Sequence, residues 1–216
     1  MLDVAQTTVG RLTALLASAD PVPAGGCAAA VAGATGASLV AMVARVALRR
    51  IDEERLAAQL EETARQAEQL AERLTALASR DVEAFTQVMR AYRLPRGTGQ
   101  EKEARSRAIH EALAQAARVP LEGVREGVTG LRLLVRVLPW VPSAALPDAW
   151  VAGWMLRACV EGGAVNVRAN WQSMRSAPPQ ELSQLDDLVA ESRRLFEDVR
   201  QRMGPLANGG IPVTPS

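Results

Sequence analysis

An all-α, multihelical single domain is the fold class this sequence predicts, and three observations predict it. Ala, Leu, Glu, Arg and Gln dominate the 216 residues, and all five are good helix formers. Aromatic residues make up only 3% of the chain, so types that favour strands are scarce. Residues 52–93 run without Pro or Gly and repeat their apolar positions at helical spacing. The length suits one domain that buries a core without disulfide or metal staples.

The elements follow in order. Val4, Val9, Leu12, Leu15 and Leu16 predict a first amphipathic helix over residues 3–18. The run from Asp20 through Pro21, Pro23, Gly25 and Gly26 is a loop. An uncharged Ala/Gly segment then runs from Ala24 to Ala44 and is followed by Arg45, Arg49 and Arg50. Ala and Gly give little transfer energy, so the segment reads as a helix buried in protein rather than a bilayer span. Gly25, Ala29, Gly33, Ala37 and Ala41 recur every four residues and let another backbone come close, which predicts a central packing helix. The long helix over about 52–93 is capped by Asp52 and carries the stripe Leu56, Leu60, Ala64, Ala67, Leu70, Leu74, Leu77, Phe85, Val88 and Tyr92. Thr98 starts the next helix, Pro120 interrupts it, and a further helix resumes to Val137. Pro147 and Asp148 mark another helix start. Gly162 and Gly163 break that helix, and a short helix runs from Ala164 to Met174. Pro178 and Pro179 precede the last helix, with Leu185, Leu188, Val189, Phe196 and Val199 on one face. Residues 1–203 are assigned to the domain and 204–216 to a loose Gly/Pro tail.

Composition excludes several functions. With 25 Lys and Arg against 24 Asp and Glu, the net charge of +1 argues against a nucleic-acid partner. The single histidine, His110, and two distant cysteines, Cys27 and Cys159, make no metal-ligand pattern, so no metal is expected. Unpatterned cysteines and the absence of a visible secretory signal point to a reducing, cytoplasmic setting.

Position 81 is the sharpest local signal. The stripe of the long helix calls for an apolar residue there, and the residue is Asp81. A buried carboxylate needs a partner, a raised pKa or a ligand. It is either one half of an ion pair with an arginine or a catalytic, cation-stabilising group in a pocket. The loop ending in Gly25, Gly26 and Cys27 opens a helix, whose free N–H groups either receive a ligand or simply allow close packing. Asn166 and Asn170 share one helix face, and their amides serve either the fold or a polar ligand.

Taken in chain order, these motifs resemble the formiminotransferase-cyclodeaminase C-terminal domain, also found as stand-alone methenyltetrahydrofolate cyclohydrolase. The matching residues are Pro21–Cys27 for Pro-x-Pro-Gly-Gly-Gly-Ser, and Asp81, Ala84 and Phe85 for Asp-x-x-Ala-Phe. Leu94, Pro95, Arg96, Thr98, Lys102 and Arg105 follow, then Val119 to Leu121, then Asn166, Val167, Ala169 and Asn170. The resemblance implies an intertwined homodimer acting on a one-carbon tetrahydrofolate as substrate. The cyclodeaminase closes 5-formiminotetrahydrofolate to the 5,10-methenyl compound and releases ammonia, and the cyclohydrolase opens the methenyl ring with water. Asp81 and Asp148 would be catalytic. Gly25, Gly26, Cys27, Arg96, Lys102, Asn166 and Asn170 would bind substrate. This chain departs from the family where Cys27 replaces Ser, Ala24 replaces Gly and Arg96 replaces Lys. In the Asn-rich window before the seventh helix only Asp148 remains. The alternative these departures raise is a non-catalytic homodimer that keeps the fold as a ligand-binding or scaffold protein.

Overall fold

The computed structural model describes residues 2–174 and 181–204. Among them are six α-helices and no strand: α1 Val9–Leu16, α2 Gly25–Leu48, α3 Glu54–Tyr92, α4 Gly99–Val137, α5 Leu146–Met174 and α6 Glu181–Met203. Helices α2 to α5 form a four-helix bundle in cyclic order, each antiparallel to its neighbours. Ion pairs fix the order of α3 and α4: Arg73 meets Glu126 and Arg80 meets Glu122. The glycines fix α2 and α5, since Gly25 lies against Asn166 while Gly36 lies against Ala152 and Leu156. Helix α6 lies outside the bundle on α4 and α5, through Arg132–Glu191 and Arg193–Glu161. These pairs are solvent-exposed, so they add little to stability.

The Ala/Gly segment is the central helix, as its composition predicts. Twelve residues of α2 are buried. A Cβ at Gly33 would come 2.6 Å from Cys159 Sγ, and one at Gly36 would come 3.0 Å from the Ala152 carbonyl. Small residues therefore set how closely α5 approaches. Among the described residues, α2 is also the one helix long and apolar enough to cross a membrane.

Several boundaries differ from expectation. Residues 3–18 are not one helix: a 3-10 turn at Val4–Gln6 precedes α1, because Asp3 and Thr8 each cap a separate start. Glu53 rather than Asp52 stands at the N-cap of α3, without a side-chain capping bond. Thr98 does start α4, in a capping box with Glu101. Pro178 and Pro179 lie outside the described residues, as do residues 205–216 of the tail.

Neither expected break interrupts its helix. Pro120 sits inside α4, where it removes the N–H that would bond the Ala116 carbonyl. Asn170 Nδ2 donates to that carbonyl at 2.9 Å, so α5 supplies the missing donor. Gly162 and Gly163 sit inside α5 for packing. A Cβ at Gly163 would come 3.2 Å from the Pro120 carbonyl, and one at Gly162 would come 3.1 Å from Ala29 Cβ. Asn170→Ala should cost about 1–3 kcal/mol by leaving a buried carbonyl unpaired. With Pro120→Ala, which restores an N–H, that cost should largely vanish. A double-mutant cycle in urea measures the coupling, and additive losses would refute the assignment.

Candidate active site

Asp81 lies in the last third of α3, one turn after Leu77, and projects at the first turn of α2. The fit there depends on glycine: a Cβ at Gly26 would come 2.6 Å from the Asp81 carboxyl carbon. The backbone N–H of Cys27 faces the carboxylate. Ala24, the residue before α2, offers no side-chain cap, so the positive end of the helix is open toward Asp81.

Two influences act on this carboxyl group. Burial raises its pKa, and the Cys27 N–H opposes the rise. Burial wins, and the pKa stands at about 6 against an ordinary 3.8. No arginine pairs with it among the described residues, and its neighbour Arg80 turns to Glu122 instead. The ion-pair explanation open in the sequence is therefore not the one the fold uses. Cys27 is fully buried beside Asp81. Burial and then the Asp81 charge push its thiol to about 11, so it is a neutral wall of the site and not a nucleophile.

Behind Asp81 is a recess of about 10 Å3, room for one water-sized molecule. Its walls come from all four bundle helices: Ala29 and Ala30 of α2, Leu77 of α3, Val119 and Gly123 of α4, and Gly163 of α5. Cys159 also borders it. Burial and then the charge of Glu126 raise that thiol to about 12, and it donates weakly to the Gly123 carbonyl at 3.5 Å. Gly123 differs from the other buried glycines of α4. A Cβ at Gly127 would come 2.7 Å from Val160 Cγ2, and one at Gly130 would come 3.1 Å from Leu70 Cδ2, whereas a Cβ at Gly123 meets nothing within 4 Å. Glycine within a helix costs about 1 kcal/mol relative to alanine.

The other expected site residues are spread over the bundle. Gly25 and Asn166 belong near Asp81: a Cβ at Gly25 would come 3.5 Å from Asn166 Nδ2, and that amide donates to the Gly162 carbonyl at 2.8 Å. Asn170 donates through Nδ2 to the Ala116 carbonyl, a partner within the fold. Arg96, in the α3–α4 turn, and Lys102, in the first turn of α4, are exposed and lie beyond the end of α3, which is itself about 17 Å past Asp81. Asp148 stands in the first turn of α5, eighteen residues before Asn166. That separation is about 27 Å, so one chain does not bring Asp148 to Asp81. The sequence reading missed Gly123 and Gly163. A glycine in an otherwise helical run of α4 was the available signal, but spacing alone does not separate close packing from open space.

A largely buried carboxylate with no ion-pair partner among the described residues, set at a small recess and facing a helix N-terminus, is a candidate acid–base site inside a helical bundle. The chain belongs to the formiminotransferase-cyclodeaminase family, whose pattern matches residues 8–181. It is 36% identical to a methenyltetrahydrofolate cyclohydrolase of Methylorubrum extorquens, over 87% of this chain and 93% of that protein. It is 31% identical to the mouse formimidoyltransferase-cyclodeaminase over 70% of this chain, but that match spans only 28% of the larger mouse protein. The solved formiminotetrahydrofolate cyclodeaminase of Thermotoga maritima shares the fold, with a TM-score of 0.77 at 23% identity, over 95% of this chain and 98% of that one.

Proposed function

We propose that this protein is a one-carbon folate enzyme whose primary activity is methenyltetrahydrofolate cyclohydrolase, with Asp81 as its acid–base group. The observation that carries the residue assignment is the unpaired Asp81 carboxylate, held at a pKa of about 6 where α2 and α3 meet. The relative matched over most of both chains is a cyclohydrolase, which favours ring opening by water. Ring closure with ammonia release is the second reading, supported by the mouse cyclodeaminase relative. A non-catalytic scaffold is not favoured, because it gives no reason to retain an unpaired buried carboxylate.

The chemistry suits the site. The methenyl group is an amidinium-like cation, and an ionised Asp81 in a low-dielectric pocket stabilises it. When water attacks the methenyl carbon, Asp81 accepts one of its protons. Asp81 then returns that proton to the departing ring nitrogen, and the remaining hydroxyl proton leaves to solvent as the formyl group forms. Gly25, Gly26 and Cys27 shape the pocket, and the Asn166 amide orients the ligand. Arg96 and Lys102 pair with the carboxylates of the folate tail at a distance from the reacting carbon. A homodimer belongs to the same proposal. Val151, Trp154 and Val165 on α5 are 45%, 49% and 63% exposed and offer an apolar face to a second copy. Asp148 has a role in catalysis only through such a copy, and the mass in solution tests this part. A cytoplasmic setting fits a folate substrate.

The test is optical. The protein should discharge the absorbance of 5,10-methenyltetrahydrofolate. Asp81→Asn should lose at least about 100-fold in kcat. Because the ionised form does the work, kcat/KM should fall as pH drops through about 6, the pKa of Asp81. Turnover that ignores both the substitution and this pH limb would refute the assignment of Asp81.

A further inference from the structure

We propose that the recess behind Asp81 seats the small molecule of the reaction, the water consumed in ring opening or the ammonia released in ring closure, and that Gly123 sets its size. This deepens the function proposed above and rests on Asp81 being the acid–base group.

Two observations carry it. The recess has about 10 Å3 of room, at the lower limit for one such molecule. Gly123 is buried, yet a Cβ there would meet nothing within 4 Å. Alanine is the better helix former and would fit without a clash, so the fold gives no reason for this glycine. The open space is the only thing its missing side chain provides. The remaining walls are apolar, so Asp81 is the group that orients the occupant.

Either source of the occupant balances. In ring opening, water adds through oxygen to the methenyl carbon and Asp81 carries its proton to the ring nitrogen whose bond to that carbon breaks. In ring closure, the N10 amine adds to the protonated formimino carbon. Asp81 takes the N10 proton and passes it to the former imino nitrogen, and that carbon–nitrogen bond breaks to release ammonia.

Gly123→Ala tests the proposal, because the added methyl group fills the recess. The expected result is a loss of about tenfold or more in kcat, with KM for the folate changed less than about twofold and an equal or higher Tm. The variant is assayed with methenyltetrahydrofolate and with formiminotetrahydrofolate, and the assay that suffers identifies water or ammonia as the occupant. Unchanged kcat in both assays, or a rise confined to KM, would overturn the proposal. Crystals grown in ammonium salt give a readout that needs no turnover. One ordered atom within hydrogen-bonding distance of Asp81 in the wild type, lost in Gly123→Ala, supports the seat; no such atom in the wild type overturns it. Wild-type protein inactive on both folates would instead overturn the function, and the crystals would still decide the recess.

Discussion

Asp81→Asn is expected to make the protein more stable at neutral pH while removing its activity. The folded pKa of about 6 lies above the ordinary carboxylate value of 3.8. Below the ordinary value the group is protonated in both folded and unfolded chains, and its burial costs nothing extra. As pH rises toward 6 the unfolded chain ionises first, and stability falls. Above about pH 6 the loss is complete, at about 3 kcal/mol for a shift of roughly two pKa units. The amide keeps the shape of the carboxyl group and removes the charge. Asp81→Asn should therefore gain about 2–3 kcal/mol at pH 8 and little at pH 4. Urea unfolding across that range, at one protomer concentration, measures it. Parallel stability curves for the two proteins would show that Asp81 is not held in a desolvated site. The structure thus places a stability cost at the residue proposed to do the chemistry, as expected where function and folding compete.

Gly26→Ala should be the most damaging small substitution outside the carboxylate itself. The new Cβ would lie 2.6 Å from the Asp81 carboxyl carbon, closer than real Cβ contacts come. Asp81 must rotate away, and the Cys27 N–H loses the group it faces. A displacement near 1 Å at a reacting group costs about 100-fold in rate. Crowding a packed site costs about 1–3 kcal/mol, but relief of the buried charge offsets it, so Tm should move little. The informative readout is the pH dependence of stability, which should flatten as the carboxyl group returns toward ordinary solvation. Gly10→Ala on α1, where a Cβ meets nothing and the residue is exposed, is the control that should leave activity alone. Gly26→Ala with wild-type kcat/KM would mean that α2 does not position Asp81.

What the sequence made legible follows from which forces are local. Asp81 could be found from one chain because the apolar stripe of α3 is set by helical geometry, and a charge within it is visible by spacing alone. The centrality of α2 was legible for the same reason, since recurring Gly and Ala on one face have few uses other than close packing. The expected breaks at Pro120 and at Gly162 and Gly163 were wrong because local propensity was overruled by the neighbouring helix. Asn170 replaces the donor that proline lacks, and close contacts with Pro120 and Ala29 give the two glycines their purpose. Asn170 itself was legible as a buried amide needing a partner, but the partner lay 54 residues away. Asp148 matched by motif, yet the unbroken α5 carries it to the far end of the bundle. The recess was not legible, because no single helix owns it.

The way the bundle closes has a kinetic meaning. The pairs α2–α3, α3–α4 and α4–α5 join consecutive helices, so each forms by a short hairpin-like closure. The contact of α2 with α5 is different: Gly25 and Asn166 are brought together across most of the chain. Contacts of such long sequence separation carry the largest loop-closure cost and slow folding most. The recess borrows its walls from that seam and from both inner pairs. No partly assembled bundle of this chain therefore contains a complete site, and catalytic competence appears only when the first and last bundle helices have met.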